Sequence, residues 1–433
     1  MTYKEKIIYS LPFVIASRLK VPFPMILGGD YTRFRKMILD NNIDPLSYSL
    51  EKFSLIFEYA KVNFPFYTKL YSEAGVSDLK IKTLADIEKV PIITKSDIRD
   101  SLDSFSGNIL NNTGGSSGEP FSFYIDKNAQ AREWAHMHSI WELKDYRITD
   151  LKVTITGTDL GERIFGYHPT QNEFKYNAYK NSGINKTEIL ELFNKYRISY
   201  IHGYPSAIYN FLYELEKVLT PQEKVIIQKN IRACLFGSEF PTPNIVKYIS
   251  TVWKFDYISW YGHSEKCILA YDLLKDNNYT PFYTYGFTEV AQHRLIGTSY
   301  HNFDMPLIRY DTGDIVSADY YSNGLIKSFK ITEGRIGEFI IDRKDNKIPL
   351  TALIFGRHHD AFDFARYIQV RQIKAGEVIF YITTSETDLV KVENSLNLQN
   401  IDISFKVVIL ENPIVSKSGK IQLLVEEYES TGL

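Results

Sequence analysis

Residues 113–120 read Thr-Gly-Gly-Ser-Ser-Gly-Glu-Pro, with three glycines and three hydroxyl side chains in eight positions. Glycine backbone adopts conformations closed to other residues, so its N–H groups can turn inward, and Thr113, Ser116 and Ser117 add side-chain donors. This combination is typical of a loop that wraps a polyphosphate. No Lys-Ser or Lys-Thr follows the last glycine, so the segment is not a Walker A loop, and alone it is equally compatible with an ordinary polar turn.

Four further segments strengthen the interpretation as a phosphate loop. They are, in chain order, Tyr261-Gly262-His263-Ser264-Glu265, Tyr310-Asp311-Thr312-Gly313-Asp314, Gly334-Arg335 and Ser416-Lys417-Ser418-Gly419-Lys420. In this order, and together with the glycine loop, they resemble the adenylate-forming ligase superfamily. The branch they resemble most is that of phenylacetate–CoA ligase and the CapK-like proteins of surface-polysaccharide clusters. Residues 201–206, 236–239 and 305–310 support that branch, and the resemblance extends over roughly residues 50 to 425.

The composition is that of an ordinary globular protein. At 433 residues the chain is long enough for two or three domains of about 150 residues each. The net charge of −2 gives no electrostatic footprint for nucleic acid. Two cysteines, Cys234 and Cys267, exclude a disulfide framework, and we predict that both are core residues in a reducing cytosol. The apolar residues 11–16 are too few to span a bilayer, so we predict a cytoplasmic protein without stable membrane insertion.

The spacing of apolar residues predicts an α/β fold. The chain begins with helices, one of them over residues 48–62 and another capped by Thr94 or Ser96. Short apolar runs then alternate with helical segments, which favours a mostly parallel sheet buried on both faces. The candidate strands of this sheet are residues 151–156, 198–202, 231–236 and 257–260. Each ends at a candidate site loop, where ligands bind in open α/β sheets.

The composition and residue pattern of the sequence change twice after these strands. From about residue 283 it is rich in β-hairpins, with a turn at Asn323-Gly324, and a break in composition follows at residues 333–337. We therefore predict a large N-terminal adenylate-forming domain, residues 1–334, which binds ATP and the acyl substrate and includes a β-rich subdomain. Residues 335–433 are predicted to form a small, mobile α+β lid domain.

The resemblance implies an ATP site built from several of these segments. The β- and γ-phosphates would bind to the glycine loop, at Thr113, Gly114, Gly115, Ser116, Ser117 and Gly118. Adenine would lie against Ser238, Glu239, Tyr261 and Gly262, with the tyrosine ring available for stacking. The two oxygens of Asp314 match the two ribose hydroxyls as a bidentate acceptor. If Asp314 stood alone, an aspartate in a hairpin turn would be the preferred interpretation.

Three further residues would carry charge for the chemistry. Glu265 is a hard oxygen ligand able to bring Mg²⁺ to the phosphates, although an exposed charge after a strand is the alternative. By resemblance, Arg335 binds ribose or phosphate. Lys420 of the lid is the expected catalytic cation, with Lys417 as its rival. The family often carries an Asp or Lys at the hinge between the domains, and Gly337 and Glu338 stand at that place in this sequence. The identity of the hinge residue therefore stays undecided, although Gly337 would allow large backbone rotations.

The acyl pocket is less legible from sequence. The resemblance points to Thr158 and Asp159 and to the segment His202-Gly203-Tyr204. A pocket for a bare aryl acid is lined mostly by apolar groups, whereas residues 157–163 contain Asp159 and Arg163. We therefore expect a polar acid, such as an amino or hydroxy acid, unless this loop is simply exposed to solvent.

These residues together predict an ATP-dependent carboxylate ligase. It would form an acyl-adenylate with release of pyrophosphate and pass the acyl group to an acceptor. The expected acceptor is an amine in surface-polysaccharide or specialised-metabolite biosynthesis. One alternative is a thioester-forming acyl–CoA ligase, with CoA as co-substrate or a carrier protein as partner. A second alternative is a nucleotide-binding scaffold without catalysis.

Overall fold

The computed structural model describes residues 23–113, 121–156, 160, 163–177, 185–333, 339–344, 347–354, 359–398, 401–414 and 422–425. The α-helices of this part of the chain are α1 (Phe23–Ile38), α2 (Pro45–Asn63), α3 (Pro65–Glu73), α4 (Leu84–Ile87), α5 (Lys95–Asp100), α6 (Ala129–Glu142), α7 (Lys186–Lys195), α8 (Pro205–Val218), α9 (Pro221–Gln228), α10 (Pro243–Thr251), α11 (Leu350–Ile354) and α12 (Leu389–Asn394).

The strands are numbered in chain order. They are β1 (Ile109–Thr113), β2 (Phe121–Ile125), β3 (Leu151–Thr156), β4 (Phe165–His168), β5 (Glu173–Asn177), β6 (Ile198–Gly203), β7 (Ala233–Phe236), β8 (Asp256–Gly262), β9 (Leu269–Asp272), β10 (Asn278–Pro281), β11 (Gly286–Ala291), β12 (Arg294–Ser299), β13 (Tyr310–Tyr320), β14 (Ile326–Glu333), β15 (Phe339–Ile341), β16 (Lys347–Pro349), β17 (Tyr367–Lys374), β18 (Glu377–Thr383) and β19 (Ser404–Leu410).

The helices begin where the sequence carries caps. Asp44 accepts a hydrogen bond from the Ser47 N–H at the start of α2, which has proline at its first position. Thr94 and Asp97 form a reciprocal capping box at the start of α5, which settles the choice between Thr94 and Ser96 in favour of Thr94. The predicted helical character of the N-terminal part is confirmed from Phe23 onward.

A sheet of twelve strands organises the chain, in the order β11-β12-β13-β14-β10-β9-β8-β7-β6-β3-β5-β4. Neighbouring strands from β5 through β3, β6 and β7 to β8 are parallel, as predicted. Strands β9 to β14 pair antiparallel and form the predicted β-rich part, with Asn323-Gly324 between β13 and β14. The mixed α/β fold class is therefore confirmed.

Two apolar layers cover the parallel strands. On one face, side chains such as Val153, Ile155 and Ile201 pack with residues of α7, α8 and α10. On the other face, Tyr200, Leu235 and Ile258 pack with residues of α6. Because side chains alternate along a strand, each strand must supply apolar residues at both parities, and this accounts for the continuous apolar runs in the sequence.

Strands β17, β18 and β19 form a separate three-stranded sheet with its own apolar cluster, including Val370, Phe380 and Val407. Tyr367 at the start of this sheet donates a hydrogen bond to the backbone oxygen of Ser206 in α8, at 2.8 Å. The α+β content predicted for the C-terminal part is observed there. The boundary at residues 334 and 335 lies outside the described residues, and that boundary and the mobility of the lid remain predictions.

Both cysteines are buried and carry free thiols, as predicted. Among the helices that the structure describes, none is long and apolar enough to cross a bilayer.

Candidate functional site

The structure brings Tyr261 at the end of β8 into contact with Asp314 near the start of β13. The Tyr261 hydroxyl donates a hydrogen bond to Asp314 Oδ2 at 2.5 Å, although the two residues are 53 positions apart. Asp314 is 6% exposed, and the Tyr261 ring is held edge-on by Phe329, with 5.2 Å between ring centroids. A buried carboxylate and an aromatic ring are thus placed side by side at the carboxyl end of β8.

A local irregularity of β13 directs Asp314 to this position. The tight turn expected at Thr312-Gly313 is a bulge inside the strand, where the register with β12 shifts. The Asp311 carboxylate accepts from the Gly313 N–H at 2.9 Å, and Thr312 Oγ1 accepts from the Asp314 N–H at 3.2 Å. Gly313 has φ +82°, a conformation that favours glycine, so the bulge depends on that residue type.

Arg309, the residue before β13, anchors the start of this strand through buried contacts. Its guanidinium forms a bidentate pair with Glu289, at 2.8 and 3.0 Å, and donates to the backbone oxygen of Glu88 at 2.8 Å. The side chain is buried, and removal of one partner from such a pair typically costs about 3–5 kcal/mol. The motif at residues 305–310 therefore has a structural role, which is to anchor the strand that carries Tyr310 and Asp314.

Glu265 follows β8 and contacts Tyr310 at the start of β13. It is 8% exposed, its Oε1 accepts from the Tyr310 hydroxyl at 3.3 Å, and its Oε2 lies 3.2 Å from His263 Nδ1. The alternative of an exposed charge is thereby wrong for Glu265. His263 and Tyr310 were not singled out from the sequence, although both belong to the segments that carried the resemblance.

The donor set suits Mg²⁺ bound mainly by phosphate. Mg²⁺ usually keeps several waters and takes one or two carboxylates together with substrate phosphates. Among the residues that the structure describes, no group of three His, Cys, Asp or Glu side chains could hold a metal by itself. A single carboxylate such as Glu265 fits a site in which substrate phosphates and waters supply the other ligands. It does not fit a site built from protein ligands alone.

Two of the residues expected around adenine, Ser238 and Glu239, lie just beyond β7, and the other two, Tyr261 and Gly262, end β8. Ser238 is exposed and adopts a left-handed backbone conformation with φ +66°. The Glu239 carboxylate accepts from the Ser206 hydroxyl at 2.5 Å and from the Ser206 N–H at 3.3 Å, in the first turn of α8. Glu239 thus stabilises a helix N-terminus, a function that the sequence did not indicate.

Trp260 is a site-wall residue that the sequence did not indicate. It packs so closely on Gly237 that an added Cβ at position 237 would lie 2.1 Å from the indole ring. Glycine is required there to let the ring approach, and the Phe236-Gly237-Ser238 segment is shaped by that contact. The only signal in the sequence was the glycine itself, directly after a buried strand.

The residues expected in the acyl pocket are partly buried in the sheet. His202 on β6 stacks on Trp260 with 5.8 Å between ring centroids, and burial lowers its pKa to about 3, so it is neutral. Gly203 has φ +150°, and a Cβ there would lie 2.0 Å from the backbone oxygen of Ile155. Tyr204 is the residue that precedes α8. His202, Gly203 and Tyr204 therefore lie at the carboxyl end of β6, where the strand leads into α8.

Several expected site residues fall outside the described part of the chain. They are Gly114, Gly115, Ser116, Ser117, Gly118, Thr158, Asp159, Arg335, Lys417 and Lys420. Thr113 is the last residue of β1, which pairs with β2 as an antiparallel hairpin, so the glycine loop connects these two strands. Its assignment and those of Arg335 and Lys420 remain predictions.

Comparison with known proteins was made by sequence and by structure. No family model matches the chain. Protein CapK of Staphylococcus aureus is 24% identical over 321 residues, which cover 68% of this chain and 68% of CapK. Phenylacetate-coenzyme A ligase of Aromatoleum evansii is also 24% identical, over 325 residues that cover 69% of this chain and 72% of the ligase.

Solved structures share the fold. A crystal structure of 2-hydroxyisobutyryl-CoA ligase in the postadenylation state has a TM-score of 0.59 at 15% identity, covering 87% of this chain and 88% of that one. The GH3.15 acyl acid amido synthetase has a TM-score of 0.53 at 11% identity, covering 86% and 88%. Both similarities extend over most of the chain, so the fold is shared as a whole and not through one segment.

Proposed function

We propose that this chain, a protein of the adenylate-forming ligase superfamily in its CapK and phenylacetate–CoA ligase branch, activates a carboxylic acid with ATP and transfers the resulting acyl group to an acceptor. The observation that carries the proposal is the contact between Tyr261 and Asp314, at 2.5 Å, beside the buried Glu265. Two segments far apart in sequence, residues 261–265 and 310–314, supply three residues that are each expected to touch a different part of ATP, and these residues lie at one edge of the sheet.

The nucleoside would bind where ring and carboxylate meet. The Tyr261 ring offers a stacking face to adenine, and each Asp314 oxygen has two lone pairs. Tyr261 uses one lone pair of Oδ2, which leaves acceptor capacity for the ribose hydroxyls. Because the Asp314 carboxylate is largely removed from water, hydrogen bonds to it gain strength from the low local dielectric.

The phosphates would lie between the glycine loop and Glu265. Residues 113–118 supply backbone N–H groups and hydroxyls, and Arg335 would add positive charge to the ribose or phosphate. Mg²⁺ bound with Glu265 would neutralise phosphate charge. Tyr310 and His263 hold the Glu265 carboxylate in place, at 3.3 and 3.2 Å, so its orientation is set before ligand binds.

Adenylation makes the carboxylate reactive. One carboxylate oxygen attacks the α-phosphorus in line, an O–P bond forms, and the bond to the β-phosphate bridging oxygen breaks to release pyrophosphate. The protein mainly has to position the reactants and stabilise developing charge. Lys420 of the lid would supply a cation to the reacting carboxylate and α-phosphate, a contribution typically worth ~10²–10³ in rate.

The acceptor distinguishes two versions of the second step. An amine would attack the acyl carbon, form an amide and expel AMP, as suits surface-polysaccharide or specialised-metabolite assembly. A thiol of CoA or of a carrier protein would form a thioester by the same displacement. Relatives of similar fold include CoA ligases and an acyl acid amido synthetase, so both versions have a counterpart.

The test is a screen for acid-dependent pyrophosphate release with ATP and Mg²⁺, followed by addition of CoA or of a panel of amines to the active acids. We expect release with at least one acid, and much slower release in Asp314→Ala when ATP is below its parental KM. Acyl–CoA formation with no gain from amines would replace the amide version by the thioester version. ATP binding without pyrophosphate release across a broad acid panel would favour the non-catalytic scaffold.

A further inference from the structure

Charged and polar side chains occupy part of the face of the parallel sheet that α6 covers, on β3, β5 and β6, next to its apolar residues. On β3, Val153 and Ile155 point into the layer of α7 and α8. The alternate residues therefore point to the opposite face, which α6 covers. We call five residues of that face the polar strip, namely Lys152, Thr154, Glu173, Lys175 and His202.

The strand register lines the polar strip up. Thr154 is paired with Lys175 on β5 and with His202 on β6, and Lys152 is paired with Glu173. In-register neighbours of parallel strands lie side by side on one face, so the five residues form two adjacent rows. The alternation Lys-Val-Thr-Ile on β3 thus separates a polar row from an apolar one.

Glu173 is the centre of the strip. Its carboxylate accepts from the Thr154 hydroxyl at 2.6 Å and pairs with Lys152 at 3.3 Å and Lys175 at 3.0 Å. Burial opposes ionisation of Glu173, but the ammonium groups of Lys175 and Lys152 outweigh it and hold the pKa of the carboxyl well below its usual range. The buried group is therefore an ionised carboxylate between two cations.

The charges of the strip do not balance. Two ammonium groups share one carboxylate, and the side chains of Lys152 and Glu173 are only 2% and 1% exposed. Lys152 and Glu173 form the deeply buried pair, so the excess positive charge is that of Lys175, and a further anion beside Lys175 would balance it. Burial lowers the pKa of the Lys152 ammonium. The Glu173 carboxylate acts in the opposite direction and favours the charged form of the lysine.

Trp141 of α6 adds an unused donor to the same place. It is fully buried, and its indole N–H has no hydrogen-bond acceptor among the residues that the structure describes. Its ring lies 5.0 Å from the His202 ring and 5.6 Å from Lys152 Nζ. The indole N–H is therefore a buried donor that a ligand oxygen could satisfy, although Glu173 Oε1, which lies 3.0 Å from Lys175 Nζ, also has no hydrogen-bond donor among the described residues.

The polar strip extends to β8 through Trp260, the residue before Tyr261. Trp260, the neighbour of Tyr261 on β8, stacks on His202, and His202 Nδ1 lies 3.5 Å from Thr154 Oγ1. Strands β3, β5, β6 and β8 end at the same edge of the sheet because they are parallel. The Lys175 side chain is 17% exposed, so of the three charged members of the strip it is the one that a ligand can reach.

We propose that the polar strip selects the acid and that the preferred substrate carries a second carboxylate, which pairs with Lys175. This inference rests on the proposed function, because it assigns the acid that is adenylated. The second carboxylate neutralises the excess charge of the strip, and the first faces the α-phosphate. A bare aryl or alkyl acid would leave Lys175 facing an apolar group and would be disfavoured.

The experiment compares matched acids in the pyrophosphate-release assay: butanoate with succinate, pentanoate with glutarate, and hexanoate with adipate. In the parent protein we expect the dicarboxylate of the best pair to have the higher kcat/KM, by about 10- to 100-fold, the range for one charged hydrogen bond. Lys175→Met should abolish this preference and Lys175→Arg should keep it. Lys195→Met, at an exposed lysine of α7, is the control.

Fold and nucleotide binding are checked by circular dichroism and by ATP affinity, which Lys175→Met should leave unchanged, since Glu173 retains Lys152. Equal use of both members of every pair, or a preference that survives Lys175→Met, would overturn the inference. If no acid releases pyrophosphate, the proposed function fails, and calorimetry with succinate, glutarate and adipate decides the inference separately. Binding that Lys175→Met removes would support it, and absence of binding to the parent would overturn it.

Discussion

Replacement of Asp314 by alanine should raise the apparent KM for ATP by about two orders of magnitude or more. The carboxylate is 6% exposed, and Tyr261 occupies one of its lone pairs at 2.5 Å. If both ribose hydroxyls donate to it, two hydrogen bonds to a charged group are lost, each worth roughly 1.5–3 kcal/mol. Their sum of about 3–6 kcal/mol corresponds to ~10²–10⁴ in affinity. Solvent that enters the vacated space favours the lower part of that range.

Tyr261→Phe is the matched control for this prediction. It keeps the ring that would stack on adenine and removes only the hydroxyl that donates to Asp314, so KM for ATP should rise about tenfold or less. The assay is steady-state pyrophosphate release with ATP varied at saturating acid, and thermal unfolding confirms that both variants are folded. An unchanged KM in folded Asp314→Ala would mean that Asp314 serves only as a partner for Tyr261. Equal effects of the two substitutions would lead to the same conclusion.

Three further predictions concern other parts of the site. Gly115→Val should abolish ATP binding in calorimetry, because a branched side chain stands where backbone must approach the phosphates; parent-like affinity would remove the loop from the site. Gly237→Ala should lower the free energy of unfolding by about 1–3 kcal/mol, because its Cβ would meet the Trp260 ring at 2.1 Å, whereas Gly29→Ala, with nothing within 4 Å, should not destabilise; equal urea midpoints would contradict the packing described. Lys420→Ala should slow adenylation by ~10²-fold or more, yet transfer the acyl group from chemically made acyl-adenylate at a near-parental rate. Equal loss in both steps would assign Lys420 a structural role or exclude alternation of the lid.

The parallel part of the fold was predictable because its signals are local. The strand predicted at residues 151–156 has the observed bounds. The strands predicted at 198–202, 231–236 and 257–260 begin and end within two residues of the observed ones, since turns and caps punctuate the chain between them. The order of the twelve strands was not predictable, because it depends on pairings between segments that are distant in sequence.

Site residues were predictable where their own segment carried the family resemblance. They were not predictable where their role depends on a contact with a residue distant in sequence. Asp314 and Tyr261 were singled out separately, but nothing in either segment indicates the hydrogen bond between them. Trp260 and Glu239 acquire their roles from packing on Gly237 and from the first turn of α8. Such roles arise from tertiary contacts alone.

The polar strip had a signal that could have been used. Lys152 and Lys175 lie inside segments that otherwise read as buried strands, and lysine is almost never fully buried unless it is paired. Taken with the alternation on β3, they could have indicated a charged face inside the sheet. Their common partner Glu173 became apparent only from the register of β3 and β5.

The central claim is that the protein forms an acyl-adenylate, and isotope exchange tests it most directly. Labelled pyrophosphate is incubated with ATP, Mg²⁺ and the acid, without an acceptor, and label in ATP is measured while mass spectrometry searches for the acyl-adenylate. The account predicts exchange that requires the acid, needs no acceptor and, with ATP below its parental KM, falls by about 10²-fold or more in Asp314→Ala. Acid-dependent formation of ADP and phosphate without exchange would contradict it, because the acid would then be activated at the γ-phosphate and not at the α-phosphate.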